Sequence, residues 1–313
     1  MRSEEICENA FRRNGPFWHL YTPGDLTEII FTCREEFVVG MNLVAVCLAA
    51  FPGLRILTFT LMNNHIHIIL AGSREDALAF FDQFRKRLKR FLAGACRYPD
   101  LAPLKPDTYE IPDLRALRAE IVYVNRNGYV VQPDHTPYSY PWSAGVLYFN
   151  PLLKGLPKKR LSSFSQPEQR RLYHSRLVNL PDRYEVYGEM IAPSSYCCIE
   201  EGEMYYRDAH QYFQILGRNQ EAGCGIAKRL GDTSFLTDEE MFGVARTLSA
   251  RDYGLRSPAT LPAEAKTALA KTLFFEYKAS PRQLRRLLKL DGAVLESLFP
   301  SRDRHSGTEI RPF

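Results

Sequence analysis

The chain has no C-x-x-C pair, although it carries seven cysteines. Without such a pair, neither a zinc knuckle nor a thioredoxin-like redox motif is indicated. The cysteines are odd in number and scattered, and only Cys197 and Cys198 are close, where bridging is rare. Reduced, partly buried thiols are expected. No apolar run reaches the roughly eighteen residues of a membrane span. The longest, "NLVAVCLAAF" (42–51), has polar or charged flanks. The first residues, "MRSEEICENAFRRNG", lack the apolar centre of a secretory signal. There is no internal repeat and no low-complexity tract. These absences lead us to expect a soluble, cytoplasmic protein with no membrane partner.

What is present suits a folded protein of about two domains: 313 residues, 45% of them hydrophobic. The net charge of +5 and pI near 8.8 are mildly basic. That is compatible with nucleic acid without singling it out.

Periodicity and punctuation place the elements. "FWHLYT" (17–22) reads as a strand closed by Pro23-Gly24, and "TEIIFT" (27–32) as a second short extended piece. Residues 34–51 have helical periodicity stopped by Pro52-Gly53. Two strands, 54–62 and 65–71, meet at Asn63-Asn64, whose side chains tolerate a tight turn. Residues 73–94 read as a helix capped by Ser73, 99–112 as a proline-rich loop, and 113–130 as a helix ending near Asn127-Gly128. An aromatic, turn-rich tail follows (136–151). The order predicts an α+β sandwich on an antiparallel sheet. From about 152 the chain turns basic and polar, then mostly helical. Ser280-Pro281-Arg282-Gln283 is a capping box with proline at the first helical position. It opens a helix expected to stop near Asp291-Gly292, and another follows. That reads as a helix-turn-helix carrying Arg282, Arg285 and Arg286. The expected domains are 1–150, an accessory region 151–235, and a helical C-terminal domain 236–313.

In "LMNNHIHIIL", His65 and His67 are two apart on a strand and so face the same way. Two imidazoles can converge on one divalent ion. By itself the pair is a weak signal and reads more simply as solvated or hydrogen-bonded edge histidines, because two ligands do not make a site. On the later helix, Tyr123 and Asn127 are four apart and share a face. If that face packs beside the strand, Asn127 adds an oxygen ligand and Tyr123 sets a phenol, a capable nucleophile, beside the ion. The helix 73–94 ends in a basic run, Arg85, Lys86, Arg87, Lys89 and Arg90. Such a run complements a helix C-terminus, or clamps a nucleic-acid backbone if a phosphate site is adjacent. His19 reads as a core or hydrogen-bonded histidine, Tyr129 as a poor second nucleophile, and Tyr140 and Trp142 as packing residues. His135 is assigned nothing.

Four stretches in order resemble the HUH single-tyrosine transposases, including the REP-associated branch. "LMNNHIHIIL" resembles the histidine–hydrophobe–histidine motif, and "FWHLYTPGD…EIIFTCREEF" the first strand and its sequel. "YVNRNGYV" resembles the tyrosine helix, and "YPWSAG" the aromatic signature after it. Together they cover about residues 11–150. The chain departs from the pattern at Gly128, where proline is usual, and by a short insertion, Gln132–Pro137.

The resemblance implies a ferredoxin-like HUH nuclease fold and a DNA transposase. Tyr123 would be the nucleophile; His65, His67 and Asn127 would hold Mg²⁺ or Mn²⁺. Arg85, Lys86, Arg87, Lys89, Arg90, Arg282, Arg285 and Arg286 would contact DNA. The partner would be single-stranded or hairpin DNA, with the protein acting as monomer or as homodimer. A bacterial, nucleoid-associated location would follow. Two-metal nucleases instead need clustered carboxylates, and no such cluster accompanies these motifs. The alternatives are a DNA-binding regulator without catalysis, and a domain whose histidines hold a structural metal.

Overall fold

The computed structural model describes residues 2–23, 29–131, 139–174, 180–218, 226, 238–255, 257–277 and 279–299. The chain divides into two compact units, Met1–Thr233 and Ser234–Phe313.

The first unit begins with α1 (Glu4–Asn14), β1 (Phe17–Tyr21) and α2 (Arg34–Leu48), followed by β2 (Arg55–Leu61) and β3 (Ile66–Ala71). Then come α3 (Arg74–Gly94), β4 (Asp107–Glu110) and α4 (Leu114–Val131). The four strands form one antiparallel sheet in the order β2-β3-β1-β4. The α+β class and the antiparallel sheet are as expected.

The two faces of the sheet carry different layers. On β2, Thr60 Oγ1 donates to the Val124 carbonyl at 2.7 Å and Thr58 Oγ1 donates to Asn125 Oδ1 at 2.5 Å, so these residues face α4. Leu61 points the other way, against α2, where a Cβ on Gly40 would lie 3.0 Å from it. Helix α3 packs along α2, with Phe80 edge-on to Phe51 just beyond α2 (centroids 6.3 Å apart). Strand β3 is therefore interior, with neighbours on both edges and helices over both faces. This is why every one of its residues is buried and why it reads as a continuous apolar run.

Several elements differ from expectation. Helix α1 was not expected, though its signals are present: Ser3 accepts from the Ile6 N–H, Glu4 and Glu5 open the helix, and Arg12 and Arg13 close it. Strand β4 lies within the proline-rich loop and pairs with β1 as an edge. Its sequence, Asp-Thr-Tyr-Glu, is half exposed and has no apolar alternation to announce it. In 27–32, Thr27 and Glu28 lie outside the described residues, and the rest is not a strand. Ile30 and Phe31 instead donate both backbone N–H groups to the Asn63 carbonyl, at 2.7 and 2.9 Å, strapping the β2–β3 turn. Helix α4 does not stop at Asn127-Gly128 but runs on to Val131. An interior glycine costs a helix only about 1 kcal/mol, less than ending the ladder there would forfeit.

Residues 151–218 belong to the first unit and are not a separate body. They contribute α5 (Pro151–Lys154), α6 (Gln166–Tyr173), α7 (Ile199–Met204) and α8 (Ala209–Arg218). They also supply a small antiparallel sheet, β5 (Lys159–Arg160), β6 (Glu185–Tyr187) and β7 (Met190–Ile191), where mainly helix was expected. Their apolar residues need the sheet to bury them. Cys197 bridges Ile56 at the edge of β2, the Cys198 N–H donates to the Ile56 carbonyl at 2.8 Å, and Arg55 pairs with Glu201 at 2.9 Å. An otherwise open strand edge is thus covered.

Asn125 ties this region to α4 and the sheet. Besides accepting from Thr58, it donates to Tyr212 Oη at 2.9 Å in a fully buried setting. Asn125→Ala removes a hydrogen-bond partner from each of two buried hydroxyls, those of Thr58 and Tyr212. We expect it to cost about 2–4 kcal/mol, read as a lower urea midpoint.

The second unit holds α9 (Asp238–Tyr253), α10 (Ala263–Tyr277), α11 (Pro281–Leu288) and α12 (Gly292–Leu298). The capping box forms as expected: Ser280 accepts from the Gln283 N–H, and the Gln283 side chain accepts from the Ser280 N–H. Helix α11 ends in left-handed Lys289, two residues earlier than anticipated. Asp291 instead caps α12, accepting from the Ala293 N–H at 2.8 Å.

Candidate metal and nucleophile site

His67 lies on the α4 face of β3, opposite Thr60 in the register. His19 and Tyr21 share that face from β1. From α4, Glu120, Tyr123 and Asn127 occupy positions i, i+3 and i+7 of one helical stripe. The rings meet in one cluster. His65 and His67 have centroids 5.0 Å apart and perpendicular; His67 and Tyr123 are 5.5 Å apart, and His19 and Tyr123 6.1 Å. The histidines are not edge residues. His65 is 7% exposed, His67 0% and Tyr123 6%, so the cluster meets solvent only at its margin. Asn127, one turn beyond Tyr123, is half-buried.

Each histidine has a hydrogen-bonded Nδ1. His65 Nδ1 lies 2.7 Å from Asn64 Oδ1, and His67 Nδ1 lies 3.0 Å from His19 Nε2. His19 Nδ1 lies 2.8 Å from Glu120 Oε2, both side chains being fully buried. The Asn127 amide nitrogen is buried and makes no hydrogen bond among the described residues. Comparison with family models, curated proteins and solved structures finds no match for this chain.

These residues fit a divalent ion in kind. Two imidazoles stand side by side, and an amide on the facing helix has an unmet polar atom. Rotation of that amide about its last torsion exchanges an N–H donor for an oxygen ligand. No group of three His, Cys, Asp or Glu able to hold a metal occurs among the described residues. Asn127 would therefore have to complete the set.

The structure brings together Tyr123, His65 and His67, and sets Asn127 next on the same helix. It does not bring the basic run to them. Helix α3 belongs to the α2 layer, on the opposite face of the sheet. Arg85 and Lys86 both pair with Asp82, at 3.0 and 2.6 Å, while Lys89 and Arg90 are exposed. A clamp beside the histidines is thus not formed by this helix within the unit. In the second unit Arg285 and Arg286 are exposed; the Arg282 side chain lies outside the described residues. His135, the Gln132–Pro137 insertion and the Tyr129 side chain also lie outside them. Trp142 and Tyr140 pack as expected: Trp142 stacks on Phe37 at 4.9 Å, and the buried Tyr140 donates to the Leu61 carbonyl.

Sequence reasoning missed Glu120, while His19 is the buried, hydrogen-bonded histidine it was expected to be. The signal for Glu120 was its place one turn before Tyr123 on the same stripe. His19 needed the β1–β3 register, which no local pattern carries. A separate open groove of about 710 Å³, lined by Arg34, Asn42, Phe164, Arg171, His174 and Glu189, lies against α2 and contains none of these residues.

Proposed function

We propose that the chain is a metal-dependent DNA strand transferase of the HUH single-tyrosine kind. The observation that carries this reading is the packing of Tyr123 against His67 on β3, whose ring in turn meets that of His65, the residue just before the strand. The order β-α-β-β-α-β, with strand order β2-β3-β1-β4, agrees with the ferredoxin-like sheet that the resemblance implies.

In this reading His65, His67 and Asn127 would hold Mg²⁺ or Mn²⁺, which when bound polarises the scissile phosphate and offsets its developing charge. Tyr123 Oη attacks the phosphorus. The bond to the 3′-oxygen breaks, and the phenolic proton ends on that oxygen. The products are a 5′-phosphotyrosine and a free 3′-hydroxyl. Phosphodiester energy is conserved, so a second 3′-hydroxyl can reverse the step onto another strand. Helix α4 holds the phenol and amide in one register, and burial of the rings excludes water as a competing nucleophile. The capping-box helix α11 with Arg285 and Arg286, followed by α12, would form a helix-turn-helix in contact with duplex or hairpin DNA.

A second reading, a DNA-binding regulator without catalysis, is favoured by the near-complete burial of Tyr123 and His67. One experiment separates the two. Hairpin-bearing single-stranded oligonucleotides from the flanks of the protein's own locus are incubated with the protein and Mn²⁺. A protein–DNA adduct that survives denaturation and vanishes on chelation is expected. Hairpin binding without any adduct would select the regulator.

A further inference from the structure

We propose that Glu36 and Arg97 are positioning residues for His65, acting through the backbone of residues 29–32 to fix the β2–β3 turn that carries it. This deepens the reading above and rests on it for the metal. The two candidate histidine ligands are held differently. His67 lies inside the sheet, paired with Tyr21 on one side and Thr60 on the other. His65 lies outside the ladder, in the turn before β3, where the Met62 N–H donates to its carbonyl at 2.8 Å. Its Nδ1 contact is to Asn64, in the same turn. The ring therefore goes where the turn goes.

Two outside segments take hold of that turn, one on each side of His65. Thr22 donates its N–H to the Ile66 carbonyl at 3.1 Å, and its hydroxyl accepts from the Ile66 N–H at 3.0 Å. On the other side, the Ile30 and Phe31 N–H groups share the Asn63 carbonyl. This second segment is rooted in two helices. Arg97, just beyond α3, donates to the Ile30 carbonyl at 3.0 Å and the Ile29 carbonyl at 3.3 Å, and pairs with Glu36 of α2. Glu36 accepts from the Thr32 N–H at 2.6 Å and the Thr32 hydroxyl at 2.9 Å. A glutamate that only capped α2 would reach back to the N-cap N–H, here that of Cys33. Glu36 reaches one residue further, into the strap. It is 5% exposed, and a carboxylate that deep is costly unless its bonds are met; the strap and Arg97 meet them. Phe31, itself buried, stacks on Phe37 of α2 at 4.8 Å. A ligand that the sheet does not hold is thus tied to α2 and to the end of α3.

The test reads the apo protein first. In Arg97→Met, the Ile30 and Phe31 amides should exchange with solvent faster by about tenfold or more. The His65 ring ¹H–¹³C signals should shift, while His67, held within the sheet, keeps its wild-type signals. Mn²⁺ affinity measured by calorimetry should fall about tenfold, the lower end for groups that support ligands from behind. Arg97→Lys, which keeps a charge for Glu36, should recover part of both losses. If Arg97→Met does not fold, the double variant Glu36→Gln, Arg97→Met removes both charges together and should show the same pattern. A folded variant with wild-type His65 signals, or one binding Mn²⁺ as tightly as wild type, overturns the positioning role alone. Wild-type protein that binds no Mn²⁺ overturns the metal reading instead, and the apo spectra still decide whether the strap holds His65.

Discussion

Tyr123→Phe is expected to form no covalent adduct with hairpin oligonucleotides while folding and binding Mn²⁺ as wild type does. The change removes one oxygen and keeps the ring, and it is the ring that packs edge-on against His67 and His19. The loss in stability should stay near 1 kcal/mol, about the usual worth of one hydroxyl's hydrogen bonding. The loss in chemistry has no such limit. Removing a covalent nucleophile costs on the order of 10⁶-fold in rate, far below what a gel-based adduct assay detects. Tyr129 follows on the same helix, but six residues is not a repeat of its face, so it does not take over. An adduct that persisted in Tyr123→Phe would place the nucleophile elsewhere. A variant that lost Mn²⁺ binding as well would make the phenol part of the metal site rather than the attacking group.

The largest stability effect is expected at Gly202, far from that chemistry. A Cβ there would lie 1.9 Å from Tyr148 Oη and 2.7 Å from its Cζ. Tyr148 cannot yield cheaply. It is fully buried, donates to the Leu57 carbonyl at 3.0 Å, and stacks on Tyr212 at 5.5 Å. Gly202→Ala must therefore displace either a rigid ring or helix α7. We expect a cost of about 3 kcal/mol or more, at or beyond the upper end for overpacked cores, and mostly insoluble protein at growth temperature. Tyr148→Phe added to Gly202→Ala should restore part of the loss, so the double variant should be destabilised by less than the two single costs added together. A change of under about 1 kcal/mol in the urea unfolding of Gly202→Ala would mean that α7 is not held against Tyr148 in solution.

Local signals carried much of the first unit. Alternation and Asn63-Asn64 located β2 and β3, and Ser73 with its acidic neighbours located α3. The four-residue step from Tyr123 to Asn127 placed both on one stripe. What was not legible depended on partners distant in sequence. Strand β4 is a strand because β1 offers it an edge. Residues 151–218 join the first unit because β2 has an open edge and Asn125 needs Tyr212. The site divides along the same line. His65, His67, Tyr123 and Asn127 could be read from spacing, whereas the pairing of His19 with Glu120 needed both a strand register and a helix docked over it. The reach of α3 was misjudged for a related reason: closeness in sequence to β3 says nothing about which face of the sheet the helix covers.

The bond between Glu120 and His19 also bears on how the site fails. Tyr123, Asn127 and Glu120 travel on one helix; the histidines stay with the sheet. Any fluctuation that lifts α4 removes all three at once and leaves His19 without its carboxylate partner. Under the proposed strand-transferase reading, cutting would require a seated helix, which would limit stray nicking of bound DNA.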